Sequence, residues 1–195
     1  MHSVKFGCSV ILALTLAACG GGSSGNGGSS GGGSGPGSYN QLIADGQEIY
    51  SEYNLGSGNF ADYTRATQMP QSGKTRYTGV GAVELGDDGR DGKVAGRAQV
   101  VADFSDSSVS GTITDFRAAP GHRTAGGKLT LGGNIHGGAV IGDIRGNINA
   151  NGQGHRINAP MEGAFLGDDA DGFAAASSGR TNNGTDFLIG VLAED

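Results

Sequence analysis

The side chains able to ligate a metal ion are few, and their spacing does not favour a site. Three histidines, His122, His136 and His155, lack the i, i+4 or alternate spacing that brings two imidazoles to one ion. Two acidic runs, 87–91 and 168–171, match parts of a calcium-binding loop but lack the glutamate at its twelfth position. Asp and Gly also form hairpin turns, so we interpret both runs as turns and the histidines as solvated loop residues. We expect no metal site.

The sequence indicates neither an enzyme nor a nucleic-acid-binding protein. Serine and threonine are numerous, but no Gly-x-Ser-x-Gly motif stands at a strand-to-helix turn, where a serine nucleophile would be activated. The formal net charge is -6, and the 13 lysines and arginines are scattered along the chain. They therefore form no basic stripe that would neutralise phosphates.

Composition also limits the fold class. Glycine makes up 40 of the 195 residues, aromatic residues 6% and charged residues 16%. So much glycine argues against a helical domain, and so little charge argues against a coiled coil. The chain is predicted to fold as one small domain, mainly of β-strands.

Cys19 is the residue with the clearest chemistry. Lys5 and the apolar run 10–18 form a secretory signal that is too short to span a bilayer, and small residues precede the cysteine. This pattern resembles the lipobox of bacterial lipoproteins. The resemblance implies that residues 1–18 are removed, that Cys19 receives a diacylglyceryl thioether, and that its amino group is acylated, as with palmitate. Gly20 follows the cysteine where an Asp could stand, which is similar to lipoproteins that are sorted to the outer membrane. The alternative is a secreted protein with a free Cys19.

Two segments precede the barrel. Residues 19–38 are almost entirely Gly and Ser, which predicts a flexible tether with a reach of about 25 Å. In residues 39–70, apolar side chains recur at helical spacing from Leu42 to Tyr53, which predicts a short helix weakened by Gly46. An irregular stretch through Phe60 follows. We expect this leader to pack against the outside or one end of the barrel; the alternative is a disordered extension.

Residues 71–195 are predicted to form an antiparallel eight-stranded β-barrel. Apolar and polar residues alternate in short runs separated by turn residues, as in sequential hairpins. Glycines on the apolar face indicate that the strands close into a barrel rather than form two stacked sheets. We expect Phe104, Phe165 and Phe187 to fill the interior. The predicted strands are 77–85, 94–104, 109–116, 128–131 (with a ragged end), 139–148, 156–166, 173–178 and 186–192, and the glycines are Gly79, Gly81, Gly96, Gly111, Gly142, Gly146 and Gly163.

Five segments of the predicted barrel are similar to the C-terminal barrel of transferrin-binding protein B and its small relatives, the factor H-binding lipoproteins. They are YTGVGAV at 77–83, VVADF at 100–104, VSGTITDF at 109–116, GAFLG at 163–167 and IGVL at 189–192. The resemblance implies a barrel on a surface lipoprotein that binds proteins, often for iron or haem uptake. Leu192 departs from the family, which usually has an aromatic residue there. The chain also has a single lobe and short loops, so the resemblance does not imply that it binds transferrin.

Two functional hypotheses follow, together with a structural envelope role. The first is a lipoprotein at the cell surface that binds a protein partner through its loops. Residues 118–127 are longer than a hairpin requires and carry His122 and Arg123, which we predict to contact the partner. The second is a carrier of haem or another small apolar ligand, with His122, His136, His155 or tyrosines as iron ligands.

Overall fold

The computed structural model describes residues 37–56 and 62–195. Among these residues, one α-helix precedes the strands, and a short 3-10 turn, Asp87–Gly89, follows the first strand. Cys19, the predicted signal, most of the predicted tether, and Phe60 lie outside the described residues. The elements are α1 (Tyr39–Glu52), β1 (Lys74–Leu85), β2 (Gly92–Asp103), β3 (Ser108–Ala118), β4 (Ala125–His136), β5 (Ala139–Ala150), β6 (Gln153–Leu166), β7 (Gly172–Arg180) and β8 (Asp186–Glu194).

The eight strands form a closed antiparallel barrel, as predicted. Each strand pairs with the next along the chain, and β8 returns to pair with β1. Closure gives every strand a partner on both sides, although β3 pairs with β4 only over Ser108–Ile113 and β6 with β7 only over Glu162–Leu166. We call the two ends of the barrel the Asn151 end, formed by the connections 86–91, 119–124, 151–152 and 181–185, and the Asp195 end, formed by 104–107, 137–138, 167–171 and the final residue.

Aromatic rings fill the interior toward the Asp195 end. Phe165 is fully buried, and its ring centroid lies 5.5 Å from that of Phe104, 5.7 Å from that of Phe173 and 6.0 Å from that of Tyr77. The Tyr77 hydroxyl donates a hydrogen bond to the Ala170 carbonyl at 2.6 Å, and burial raises the Tyr77 pKa. The predicted interior positions of Phe104, Phe165 and Phe187 are confirmed.

Glycine lets the strands approach closely where closure requires it. A Cβ atom at Gly79 would meet the Leu192 carbonyl oxygen on β8, and one at Gly142 would meet the Gly132 carbonyl oxygen on β4. Any larger residue would push these strand pairs apart. The predicted role of glycine in closure is supported at both positions.

The predicted length of β4 is wrong. We expected a strand over 128–131, but β4 pairs with β5 over its whole length, from Ala125 opposite Ala150 to His136 opposite Ala139. Glycine pairs at 126–127 and 132–133 interrupt the alternation of side chains, although their backbones pair normally. The loop predicted at 118–127 is therefore confined to residues 119–124.

Helix α1 packs against the outside of the barrel, as predicted. Leu42 and Ile43 contact Val80 and Ala95 on β1 and β2. Farther along the helix, Ile49 and Tyr53 contact Leu166 and Leu192 on β6 and β8. Leu192 therefore lies beneath the helix rather than in the barrel interior. In the part of the chain that the structure describes, no helix is long and apolar enough to cross a bilayer.

Candidate functional site

The β3–β4 connection, residues 119–124, borders an open groove at the Asn151 end. His122 and Arg123, the predicted partner-binding residues, both line it, and the amino end of α1 forms the opposite side. The groove has a volume of about 490 Å³. Its lining residues are Ser38, Tyr39, Asn40, Phe116, Arg117, Ala118, Ala119, Pro120, His122, Arg123 and Ala125.

Asn151, in the β5–β6 turn, fixes the conformation of this loop. Its side-chain oxygen accepts a hydrogen bond from the Arg123 N–H at 2.9 Å, and its amide nitrogen lies 3.1 Å from His122 Nδ1. The same nitrogen donates to the Asp91 carbonyl at 3.2 Å, and the Asn151 backbone N–H donates to the Thr124 carbonyl at 3.1 Å. One side chain thus joins three connections that are distant in sequence.

The local sequence explains why asparagine stands at this position. Asn151 has φ 52° and Gly152 has φ 81°, the left-handed pair that a two-residue hairpin turn requires. Asparagine tolerates this conformation and also carries an acceptor and a donor. The Asn-Gly pair predicts the turn, but nothing in the local sequence predicts hydrogen bonds to residues 28 and 60 positions away.

Two of the groove's lining residues are arginines that form no ion pair with a described carboxylate. Arg117 and Arg123 are exposed, and neither guanidinium group forms an ion pair with any described residue. No Asp or Glu lies among the lining residues, and the first turn of α1 contains no acidic residue. The nearby Glu84 is paired with Lys93 at 3.1 Å. Burial, and secondarily Glu84, raises the pKa of Tyr39 on the opposite side of the groove.

His155 is inside the barrel, so its prediction as a solvated residue is wrong. Only 1% of its surface is exposed, because it continues the inward alternation of Ile157, Ala159 and Met161 along β6. Neither ring nitrogen has a hydrogen-bond partner among the described residues, and the same holds for the buried hydroxyl of Thr181. Burial lowers the His155 pKa, and the charge of Asp91 opposes this only in part.

The lowered pKa of His155 predicts acid sensitivity. The unfolded chain takes up a proton near the ordinary pKa of 6.5, whereas the folded chain resists it to lower pH. The free energy of unfolding is therefore expected to fall as pH drops below 6.5. Denaturant titrations across this range check it: His155→Leu should lose this decline, whereas the exposed control His136→Leu should keep it. Equal pH profiles for wild type and His155→Leu would contradict the prediction.

The structure does not bring the three histidines together. His122 is in the groove, His155 is in the interior, and His136 ends β4 at the opposite end of the barrel. Among the described residues, no group of three or more His, Cys, Asp or Glu side chains is arranged to hold a metal ion. The acidic runs 87–91 and 168–171 lie in the β1–β2 and β6–β7 connections, which confirms their interpretation as turns.

Negative charge concentrates at the Asp195 end and beside it on α1. Burial, together with repulsion from Glu52 and Glu48, raises the pKa of Glu194. Burial, and then the charges of Asp195, Asp169 and Asp168, raises the pKa of Asp171. Asp87, Asp88 and Asp91 lie at the opposite, Asn151 end, so acidic side chains occur at both ends of the barrel.

Removing the Asn151 side chain is expected to loosen the loop while leaving the barrel folded. Asn151→Gly tolerates the left-handed backbone but loses the hydrogen bonds to Arg123 and Asp91. Hydrogen exchange of the Arg123 amide should accelerate about tenfold, the effect of losing one hydrogen bond of typical net strength. Asn149→Ala, at an exposed site nearby, serves as the control. Unchanged exchange in Asn151→Gly would show that the loop does not depend on this residue.

Fold and site together define a small β-barrel protein with an open groove at one end. A family model described as the C-lobe and N-lobe beta barrels of Tf-binding protein B matches residues 69–193, well over half of the chain. The chain therefore belongs to this transferrin-binding protein B barrel family, as the sequence resemblance implied. The family is one of binding proteins and not of enzymes.

Solved structures show the same barrel. Two mutants of the vaccine antigen Transferrin Binding Protein B from Haemophilus parasuis Hp5 match with TM-scores of 0.51 and 0.50, at 17% and 18% identity. Each match covers 68% of this chain but only 27% or 28% of the longer protein. At this identity the likeness establishes the fold. No curated protein sequence matches the chain.

Proposed function

We propose that this protein is a lipoprotein anchored in the outer membrane through acyl chains on Cys19, displayed at the cell surface, where it binds a protein partner. The groove at the Asn151 end is the proposed contact site, with His122 and Arg123 as contact residues. Family membership supports a binding role, and the lipobox supports the anchor. Because the relatives are named for binding transferrin, we place the partner in iron or haem acquisition.

One observation carries this proposal: the β3–β4 loop is held in place by its neighbours while its charged side chain remains free. Asn151 fixes the backbone at Arg123, yet the Arg123 guanidinium is exposed and has no ion pair among the described residues. Ordering this loop in advance lowers the entropy cost of binding. Surface arginine on a rigid scaffold is also typical of interface hot spots.

The predicted tether suits this arrangement. Residues 19–38 would join α1 at Ser38, which lines the groove. A reach of about 25 Å allows the barrel to turn away from the membrane and present the groove to a large partner. Haem carriage is not proposed, since the histidines offered as iron ligands lie in separate places.

Affinity capture tests the binding proposal. The Cys19→Ser chain, immobilised and exposed to fluid from the surroundings of the cells, should retain a partner that mass spectrometry identifies. The double change His122→Ser and Arg123→Ser should weaken binding of that partner by about tenfold or more. The control is Arg156→Ser with Asn183→Ser, two exposed residues at the same end but outside the groove. Equal capture by both variants would exclude this loop from the binding site.

A further inference from the structure

The groove at the Asn151 end combines two kinds of side chain. Two arginines and a histidine line it together with partly or fully exposed apolar residues, Tyr39, Ala118, Pro120 and Ala125. We propose that this groove recognises an acidic segment of a protein partner, with carboxylate side chains on Arg117 and Arg123. This inference rests on the proposed function and names the chemistry of the partner.

Arg117 and Arg123 are two of the eight described lysines and arginines that form no ion pair, and they are the two that line the groove. Lys74, Lys93, Arg145 and Arg180 each form an ion pair with a carboxylate of the same chain at 2.7–3.2 Å. Arg117 and Arg123 form none, although the chain carries an excess of acidic residues, 19 against 13 basic ones. Asp115, two residues before Arg117, accepts a hydrogen bond from Thr114. The two guanidinium groups are therefore available to a ligand.

The lining fits carboxylates on a peptide through both its charged and its apolar side chains. A guanidinium group presents a planar fork of donors that matches a carboxylate, and two such groups line one groove. Lysine is absent from the lining residues. The apolar residues that share the groove would contact the aliphatic or aromatic side chains of a peptide, whereas a sulfated sugar offers few groups to occupy them.

The negative net charge of the chain means that an acidic segment is attracted only by close contact with the groove. With a formal net charge of -6, the protein repels a polyanion at long range. Attraction then depends on close contact at the groove, where partial desolvation strengthens each charge pair. An acidic partner is therefore selected by its contacts in the groove and not by long-range electrostatic attraction to the protein.

Binding of a fluorescein-labelled oligoglutamate peptide to the full chain carrying Cys19→Ser tests this inference by fluorescence anisotropy. We expect binding at low salt that weakens as salt is raised, and no binding of the matching oligoglutamine peptide. The double change Arg117→Gln and Arg123→Gln should reduce affinity about tenfold or more, because both carboxylate partners are lost. The control is Arg76→Gln with Arg156→Gln, which removes the same charge from two exposed arginines outside the groove.

Three outcomes would overturn the inference. The oligoglutamate peptide fails to bind, or both double variants weaken it equally, or a heparin-derived oligosaccharide displaces it and binds far more tightly to the same arginines. A different result would separate the two proposals. If partner capture depends on His122 and Arg123 but oligoglutamate does not bind, the proposed function stands and only the inference that the partner presents an acidic segment is wrong.

Discussion

Cys19→Ser is expected to remove the protein from the outer-membrane fraction and leave unlipidated precursor or soluble periplasmic protein. The thioether requires the thiol, so the serine variant receives no diacylglyceryl group. Each buried methylene contributes about 0.8 kcal/mol to membrane binding, so two or three acyl chains anchor a protein durably. Without these acyl chains, the serine variant has no stable anchor in the outer membrane. Membrane fractionation, with the mass of the amino-terminal peptide, measures the effect.

Cys8 provides a matched control for the anchoring prediction. It is the only other cysteine, and it lies within the predicted signal. Cys8→Ser should therefore leave lipidation and fractionation unchanged. A Cys19→Ser protein that still partitions with the outer membrane would refute the assignment of the lipobox.

Phe165→Ala is expected to cost about 3–5 kcal/mol in free energy of unfolding. Its ring is fully buried and contacts three other aromatic rings, so truncation opens a cavity that its neighbours can refill only in part. The total stability of a domain of this size is about 5–15 kcal/mol, so the variant loses a large fraction of it. Denaturant titration of the purified chain measures the shift in midpoint.

Ile141 supplies the comparison for this prediction. It is a large apolar residue of β5 with 52% of its surface exposed, so Ile141→Ala should change stability by less than about 0.5 kcal/mol. If both substitutions shift the midpoint by similar small amounts, Phe165 is not in the core, and the assignment of inward and outward faces is wrong.

Much of the barrel could be predicted because side chains alternate visibly along most strands. In β2, Val94, Ala98 and Val100 point inward while Arg97 and Gln99 are exposed, and this alternation is legible in the sequence. In β4, glycine carries no side chain to mark a face, so only the central part of the strand could be recognised.

The candidate site was predictable only in part. Loop composition pointed to His122 and Arg123, and the structure places both in the groove. Arg117 was missed because a strand residue with its side chain outward looks like ordinary solvated charge until the groove is seen. Asn151 was missed as the residue that fixes the loop because its partner Asp91 is 60 positions away, brought close only by barrel closure. His155 could have been placed inside by its alternation with Ile157.

Site-specific photocrosslinking on intact cells tests the central claim most directly, because it requires surface display and groove contact at once. A photoreactive residue is placed at Pro120, which lines the groove, or at Asn158, which is exposed on β6 outside it. Neither change alters the charge of the protein. We predict a crosslinked partner at Pro120 and not at Asn158 when cells are illuminated in their natural surroundings. Crosslinking that is equal at the two positions, or absent from Pro120 while the protein is present at the surface, would contradict this account.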